Sequence, residues 1–575
     1  MDYMQIYKKW LDADINEDTR AELDAISSDD DEIRERFSLN LEFGTAGLRG
    51  IIGAGTSRMN IYTVGQATQA LAALIISNGD AAKARGVSIA FDSRHFSDVF
   101  ARHAACILAA NGIKAYIFDA LRPTPELSFA VRHMNAIAGI NITASHNPKE
   151  YNGYKVYWED GAQMSLENSK RVADIMKETD MFADVKLMDY DEARKMGLIE
   201  IMGEKVDEAY LENVTAQAMD IASVKAVSDD FKVVYTPFHG AGYKLVPEVM
   251  RRIGVKNIVP VPQQFEPDGD FPTVKSPNPE NPEGFYLAIE LAKKENADII
   301  IGTDPDSDRI GVVAKCNGEY KNLTGNHIGA LLLDYIIKAL RRTNTMPENP
   351  VAIKTVVSSE LFRKIAQDNG IELVEVLTGF KFIGEKILEF ENTGAYNYIF
   401  GYEESYGYLK GTYCRDKDAV VASMLVCEMA AYYKTKGMSL FDALEAVYEE
   451  YGYYLDDVIN VTSPALKTTA QMGEAMKRVR SVVPESIGGL NVTAVRDYLT
   501  GVRTDKSGAA EKLTLPKSDV LYYELEDGSR FVMRPSGTEP KLKIYFLICG
   551  KSMKECEDKC TKFREYAGGL LEKFV

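Results

Sequence analysis

From about Val87 onward the chain alternates short apolar runs with segments of helical spacing. "VSIAFDS" is apolar and short, "DVFARHAACILAANG" has helical spacing and ends in Gly, and "IKAYIFDA" is strand-like again. "FAVRHMN" and "AIAGINITASHNP" continue the pattern. It returns over residues 231–262 and 286–303, and a third time from "VAIKTVVSSELFRKIAQDNGIELVEVL" to "YNYIFGYEESYGYL". Strands that alternate with helices predict largely parallel α/β sheets. Each round closes with a strand running into an unusual polar loop. Ligands of open α/β sheets sit at the carboxyl ends of strands, so these loops are where chemistry is expected.

With 575 residues the chain is too long for one core, and a domain size of about 100–200 residues predicts three to five domains. The last stretch departs from the repeat. "VLYYELEDGSRFVMRPSGTEPKLKIYFLICG" holds two β-rich runs around Asp527-Gly528, a hairpin signal, and a third before a lysine-rich helix. It reads as a smaller α+β domain. The segment "QQFEPDGDFPTVKSPNPENPEG" reads as a surface excursion within the second round. The helical first forty residues either cap the first domain or make a subunit contact; oligomeric state is not legible.

Bulk charge narrows the partners. The net charge is −18, with 85 acidic against 67 basic residues, which argues against nucleic acid. An anionic ligand would need local arginines, lysines and backbone N–H groups to overcome that background. No run approaches the roughly 18 apolar residues of a membrane helix, and the start lacks an apolar signal core, so no membrane partner and a cytoplasmic location are expected. Seven scattered cysteines read as reduced thiols. Cys556 and Cys560 lack a companion Cys/His pair, so no zinc site is expected.

Four loops carry candidate chemistry. In "GINITASHNPKEYNGYKVY", Asn147 and Pro148 end the strand, which leaves the Ser145 hydroxyl accessible beside His146. The surroundings are not a Gly-x-Ser-x-Gly elbow. Asp304, Asp306 and Asp308 follow the strand "ADIIIGT" at alternate positions; clustering like charges is costly without a counter-ion, and oxygen ligands alone suit Mg²⁺. An EF-hand fails, because its sixth and twelfth places hold Arg309 and Lys315. An aspartyl phosphatase loop is the closer rival, and a charged surface turn is the plain alternative. In "GYEESYGYL", Glu403 and Ser405 among aromatics suit sugar hydroxyls, although a tight turn would explain the run equally well. Arg534-Pro535-Ser536-Gly537-Thr538 offers a forked donor, two hydroxyls and a glycine that admits an anion, with a hairpin-end turn as the bland reading. It is not a Walker loop.

Together, "TASHNPKEYNGYKVY", "GTDPDSDR", "GYEESYG" and "RPSGTEP", with "EFGTAGLRG" near the start and "TGFKFIGEKI" at 378–387, resemble the α-D-phosphohexomutase superfamily over roughly residues 40 to 545. "NGYKVYWEDGAQ" is similar to its phosphoglucomutase/phosphopentomutase branch. The resemblance implies an α/β, four-domain phosphohexomutase architecture around a central cleft. Three mixed α/β domains would carry the phosphoserine loop (1–205), the metal loop (206–318) and the sugar loop (319–455). A C-terminal α+β domain, 456–575, would carry the phosphate loop.

The resemblance further implies a phosphoryl group on Ser145 and one Mg²⁺ per chain, held by Asp304, Asp306, Asp308 and an oxygen of the phosphoserine. Arg49 would contact that phosphoserine, Lys155 would serve as general acid/base, and His146 would orient the serine. Arg534, Ser536, Gly537 and Thr538 would hold the distal phosphate, and Glu403 and Ser405 the sugar hydroxyls. Thr378, Lys417 and Arg309 match further contact positions. The implied reaction interconverts glucose 1-phosphate and glucose 6-phosphate through bound glucose 1,6-bisphosphate, which is also the activator. Phosphomannomutase, phosphopentomutase and bisphosphate-synthesising activities stay open, and a metal-dependent sugar phosphatase is a further alternative. Phosphoryl transfer depends mainly on positioning and charge neutralisation, which agrees with these loops. Three departures stand out: Pro305 and Ser307 where the family often has glycine, Tyr402 where glycine is common, and "CRDKDAV" around Lys417. With tyrosine at position 402, the family's sugar selectivity is not carried over to this chain.

Overall fold

The computed structural model describes residues 2–44, 47–461, 469–536 and 541–574. The chain forms two compact units, one of Met1–Leu323, Gly384–Asn392 and Ser405–Ser439, the other of Thr324–Ile383, Thr393–Glu404 and Leu440–Val575. Among the described residues no helix is long and apolar enough to cross a membrane.

The first unit begins with three short helices, Tyr3–Asp12, Glu17–Ala25 and Asp30–Phe37. Their apolar faces meet around Trp10, which is buried and packs edge-on against Phe37, Tyr62 and Phe182 at 5.7, 5.3 and 5.4 Å. Tyr62 and Phe182 belong to the α/β layer that follows, so the opening helices cap that layer, one of the two roles left open by the sequence.

The first sheet contains β1 (Leu48–Ile51), β2 (Val87–Phe91), β3 (Ala115–Phe118), β4 (Ala138–Ile142), β5 (Tyr151–Trp158) and β6 (Ile199–Met202), in the order β1-β5-β4-β2-β3-β6. Strands β4, β2, β3 and β6 are parallel; β5 runs antiparallel to β4, and β1 to β5. The buried central strands read as continuous apolar runs because helices cover both faces. The helix Ile61–Ser77 is fixed at its start by a capping box, with the Asn60 side chain accepting from the Tyr62 and Thr63 N–H groups.

The second sheet repeats the plan. It contains β7 (Lys232–Thr236), β8 (Asn257–Pro260), β9 (Ile299–Thr303), β10 (Ile310–Cys316) and β11 (Glu319–Leu323), in the order β11-β10-β9-β7-β8. Again the parallel core ends in an antiparallel step, β9 to β10, where Thr303 pairs with Ile310. The serine loop and the aspartate loop therefore occupy equivalent places: each joins the last parallel strand of its round to an antiparallel neighbour.

The expected surface excursion is corrected here. Residues 263–284 include buried Gln264, Gly269 and Phe271, and Ser276 Oγ donates to the His146 carbonyl at 2.9 Å. The segment packs onto the serine loop because Phe271 supplies an aromatic face to the Arg94 guanidinium, 5.0 Å from its centroid.

In the second unit β12 (Pro350–Thr355) lies between β13 (Glu372–Val376) and β14 (Asn397–Glu403), all parallel. The C-terminal sheet is antiparallel and includes the expected hairpin: β15 (Tyr453–Val461) pairs with Leu542–Gly550, and Leu521–Leu525 pairs with Arg530–Pro535 across the turn at Gly528, whose φ is +93°. The helix Met553–Phe574 packs against it.

Two expectations follow. Trp10→Ala removes the centre of the N-terminal cluster and should cost about 3–5 kcal/mol, read by urea unfolding. On β15, burial pushes the Asp456 carboxyl up to about 7, against the opposing pull of a Ser359 hydrogen bond and Lys354. A carboxyl whose folded pKa is raised stabilises the fold while protonated, and that contribution is lost as pH rises through the folded value. The urea midpoint should therefore fall as pH climbs through this range, and Asp456→Asn should flatten the slope.

Candidate active site

Ser145 sits in the turn after β4 with a left-handed backbone, φ +54°. Its N–H donates to Thr143 Oγ1 at 2.8 Å, and its hydroxyl donates to Asp304 Oδ2 at 3.0 Å. His146 Nδ1 lies 3.2 Å from the same hydroxyl. Burial, then Arg309 and Arg49, hold that imidazole well below its ordinary pKa, so it is neutral. Arg49, on β1, donates to Asn147 Oδ1 at 3.1 Å, which places it against the same turn.

The aspartate loop closes the β9–β10 pair. Asp304 Oδ1 accepts from the N–H groups of Asp308 and Arg309, both at 3.0 Å, so the side chain ties its own turn. Asp306 Oδ2 accepts from Lys155 Nζ and Thr124 Oγ1, each at 2.7 Å. Asp308 Oδ2 lies 3.0 Å from Lys417 Nζ and 3.7 Å from Lys155 Nζ. Arg309 pairs with Glu280 at 2.7 Å.

One oxygen from each of Asp304, Asp306 and Asp308 lies within 4.8 Å of the others, and all three residues are buried. The second oxygens of Asp306 and Asp308 are buried and accept no hydrogen bond. Three buried carboxylates at that spacing, two of them with an oxygen that accepts no hydrogen bond, fit a small hard cation, whose charge would settle three adjacent anions. Their electrostatics show the strain of proximity: burial and the two neighbouring aspartates push the Asp304 carboxyl well up. Burial also works against Asp306, yet Lys155 and Thr124 hold it below the usual range.

The departures from the family pattern keep the loop intact. Ser307 adopts φ +52°, the conformation a glycine would supply, and Pro305 receives the Ala241 N–H on its carbonyl at 2.8 Å. Ser405 precedes Tyr406, whose carbonyl accepts from the Ile310 N–H at 3.1 Å, and Lys417 Nζ is shared between Asp308 and Asp416 at 3.0 and 3.1 Å. The structure thus brings Ser145, His146, Arg49, Lys155, Asp304, Asp306, Asp308, Arg309, Ser405 and Lys417 into the first unit.

The second unit holds the remaining candidates. Glu403 ends β14, and its Oε1 accepts from the Gly379 N–H at 2.9 Å, which sets Thr378 beside it. Tyr402 turns the other way, as strand alternation requires. Its hydroxyl bonds Asn326 Oδ1 and the Ser359 N–H, both at 3.0 Å, and its ring packs on Phe362 at 4.7 Å. The tyrosine belongs to the core beneath the loop. Arg534 donates to the Tyr545 hydroxyl at 3.0 Å, and the Ser536 N–H donates to the Lys541 carbonyl at 2.8 Å. Gly537 and Thr538 lie outside the described residues.

Four consecutive family descriptions match the chain: phosphoglucomutase/phosphomannomutase alpha/beta/alpha domain I over residues 40–182, domain II over 208–318, domain III over 324–451, and the C-terminal domain over 459–548. Proteins named phosphoglucomutase from Staphylococcus epidermidis and Staphylococcus aureus are 39% and 38% identical, covering 90% and 94% of this chain and 92% and 93% of their own. The chain belongs to the phosphoglucomutase/phosphomannomutase family. Its four-domain α/β fold is shared with solved structures of a putative phosphomannomutase from Thermus thermophilus and of parafusin, a Paramecium phosphoglucomutase. These are 23% and 19% identical, with TM-scores of 0.69 and 0.68, and cover 93% of this chain and 99% and 95% of their own.

Sequence reading of this family member passed over the residues that hold the serine turn. Arg94 is buried, and its guanidinium donates to the carbonyls of Ser145, Asn147, Pro148 and Tyr151 at 2.6, 2.5, 2.8 and 3.0 Å. Asp92 balances its charge at 3.2 Å and accepts from Thr143 Oγ1 at 2.6 Å. Glu280, Asp416 and Thr124 were passed over likewise. Asp92 and Thr124 stand just past the carboxyl ends of β2 and β3, and the rule that pointed to Ser145 and Asp304 points to these loops as well. Arg94→Met should cost about 3–5 kcal/mol in urea unfolding, because it leaves Asp92 charged and unpaired in the interior. Arg94→Lys should recover only part, since an ammonium cannot span four spread acceptors.

Proposed function

We propose that the protein is a phosphoglucomutase that interconverts glucose 1-phosphate and glucose 6-phosphate. The observation that carries the reading is the 3.0 Å contact of the Ser145 hydroxyl with Asp304, inside a buried cluster of carboxylates with orphaned oxygens. The choice of glucose rests on the names of relatives 38–39% identical over nearly the whole chain.

Asp304, Asp306 and Asp308 would hold one Mg²⁺ together with an oxygen of phosphorylated Ser145. Bound there, the ion would neutralise charge on the transferring phosphoryl group and improve the serine oxygen as a leaving group. The rest of the reaction is assigned to side chains. The sugar hydroxyl oxygen forms a bond to phosphorus as the bond to Ser145 Oγ breaks, giving glucose 1,6-bisphosphate and a free serine. Lys155 handles the hydroxyl proton. After the bisphosphate turns over, its other phosphate returns to Ser145 by the reverse exchange, and added bisphosphate primes an unphosphorylated enzyme.

Arg49 steadies the phosphoserine, and neutral His146 orients it. Arg309 and Lys417 limit the charge around the reacting phosphate. Glu403, Ser405 and Thr378 take sugar hydroxyls, and Arg534, Ser536, Gly537 and Thr538 take the distal phosphate. The domains 1–205, 206–318, 319–455 and 456–575 each supply one of these loops. All seven cysteines are free thiols, which supports a cytoplasmic setting.

A coupled assay with glucose, mannose and ribose 1-phosphates, each with a trace of the matching bisphosphate, tests the reading. Glucose 1-phosphate should have the highest kcat/KM, inorganic phosphate should not accumulate, and Ser145→Ala should lose turnover by orders of magnitude. Full mutase activity in Ser145→Ala rejects the mechanism, and a preference for mannose 1-phosphate transfers the reading to phosphomannomutase.

A further inference from the structure

Asp306 is held from behind by a group of side chains of which the proposed reaction uses only Lys155. Asn141 on β4 and Lys155 on β5 face each other as cross-strand partners. Both converge on Asp306 Oδ2. Lys155 reaches it directly at 2.7 Å, whereas Asn141 acts through Thr124: Asn141 Nδ2 lies 2.6 Å from Thr124 Oγ1, and Thr124 Oγ1 lies 2.7 Å from Asp306 Oδ2. Asn141, Thr124, Lys155 and Asp306 are all buried.

The polarity of this chain is forced. A hydroxyl has one proton, and beside a carboxylate it must donate that proton. Thr124 can then only accept from Asn141, so the amide must present its N–H to Oγ1. The Thr124 hydroxyl therefore has a single orientation.

Thr124 also grips the main chain of the loop. It opens the helix Thr124–His133, and the first N–H groups of a helix have no partner within it. The Thr124 N–H donates to the backbone carbonyl of Asp306 at 2.8 Å. One residue thus holds both the peptide and the carboxylate of Asp306. With Oδ2 engaged twice, Oδ1 is the buried oxygen that accepts no hydrogen bond.

We infer that Thr124, oriented by Asn141, is a positioning residue for the cation site: it presets Asp306 so that Oδ1 is the oxygen left for the ion. The inference rests on the reading that the three aspartates bind a divalent cation. A residue serving only as packing between two loops would alter stability and leave metal affinity alone. A residue that orients a ligand changes affinity, commonly by ten- to hundredfold.

The test is a titration of full-length protein with Mn²⁺, following the free ion by electron paramagnetic resonance, with melting of the metal-free protein measured in parallel. Thr124→Val removes the donor at nearly constant volume and should raise the Mn²⁺ Kd by about ten- to hundredfold. Thr124→Ser keeps the hydroxyl and should restore most of the affinity. Asn141→Leu should weaken binding too, and the double variant with Thr124→Val should be scarcely worse than Thr124→Val alone, because both act through one bond. Wild-type affinity in a folded Thr124→Val overturns the inference; should that variant not fold, wild-type affinity in Asn141→Leu overturns it. Absence of Mn²⁺ binding by the wild-type protein overturns the underlying cation reading, a result distinct from equal binding by all variants.

Discussion

Three aspartates buried within 4.8 Å of one another are the constraint around which the first unit is arranged. Like charges so close in the interior repel strongly, and each must be matched by donors or a counter-ion. The chain meets the condition by dividing the oxygens of every carboxylate. Backbone N–H groups take one oxygen of Asp304, Lys155 and Thr124 share one of Asp306, and Lys417 stands by one of Asp308. The other oxygens meet the Ser145 hydroxyl or, as Oδ1 of Asp306 and of Asp308, accept no hydrogen bond. The lysines reduce the charge that any ion must offset, and they come from distant segments that the fold must bring together before the cluster is tolerable.

The repeated α/β plan explains where the functional loops occur. In the first two rounds a parallel strand gives way to an antiparallel neighbour, β4 to β5 and β9 to β10, and the reversal forces a tight turn at the carboxyl edge of the sheet. A tight turn exposes N–H groups and accepts left-handed backbone, as at Ser145 and Ser307. The third round again puts its polar loop after the strand β14, with Glu403 as its last residue. One architectural device, used repeatedly, supplies a serine, a set of carboxylates and the Glu403 carboxylate.

Around these turns lies a layer of supporting groups. Arg94 gathers four carbonyls of the serine turn, Asp92 balances it, and the segment around Phe271 closes over it. A strained turn persists only where its surroundings over-determine it, and here a single buried guanidinium does most of that work. Glu280 from the same segment engages Arg309, so the piece that resembled an excursion joins the serine and aspartate loops.

The alternation of strands and helices, the hairpin at Gly528 and the loops bearing Ser145, Asp304, Asp306, Asp308 and Glu403 were legible from residue order, because period, punctuation and short spacings are local properties. Local order also showed that carboxylates stood close enough together to require compensation. It did not show what compensates them. Thr124, Lys155 and Lys417 reach the aspartates across sequence separations of 182, 151 and 109, counting from Asp306, Asp306 and Asp308. Arg94 and Asp92 carry no local mark of the turn they hold, and nothing local shows that the Tyr402 side chain faces the core. Pairings of this kind depend on which strands lie side by side and on which face a side chain emerges, and only the packed chain decides both.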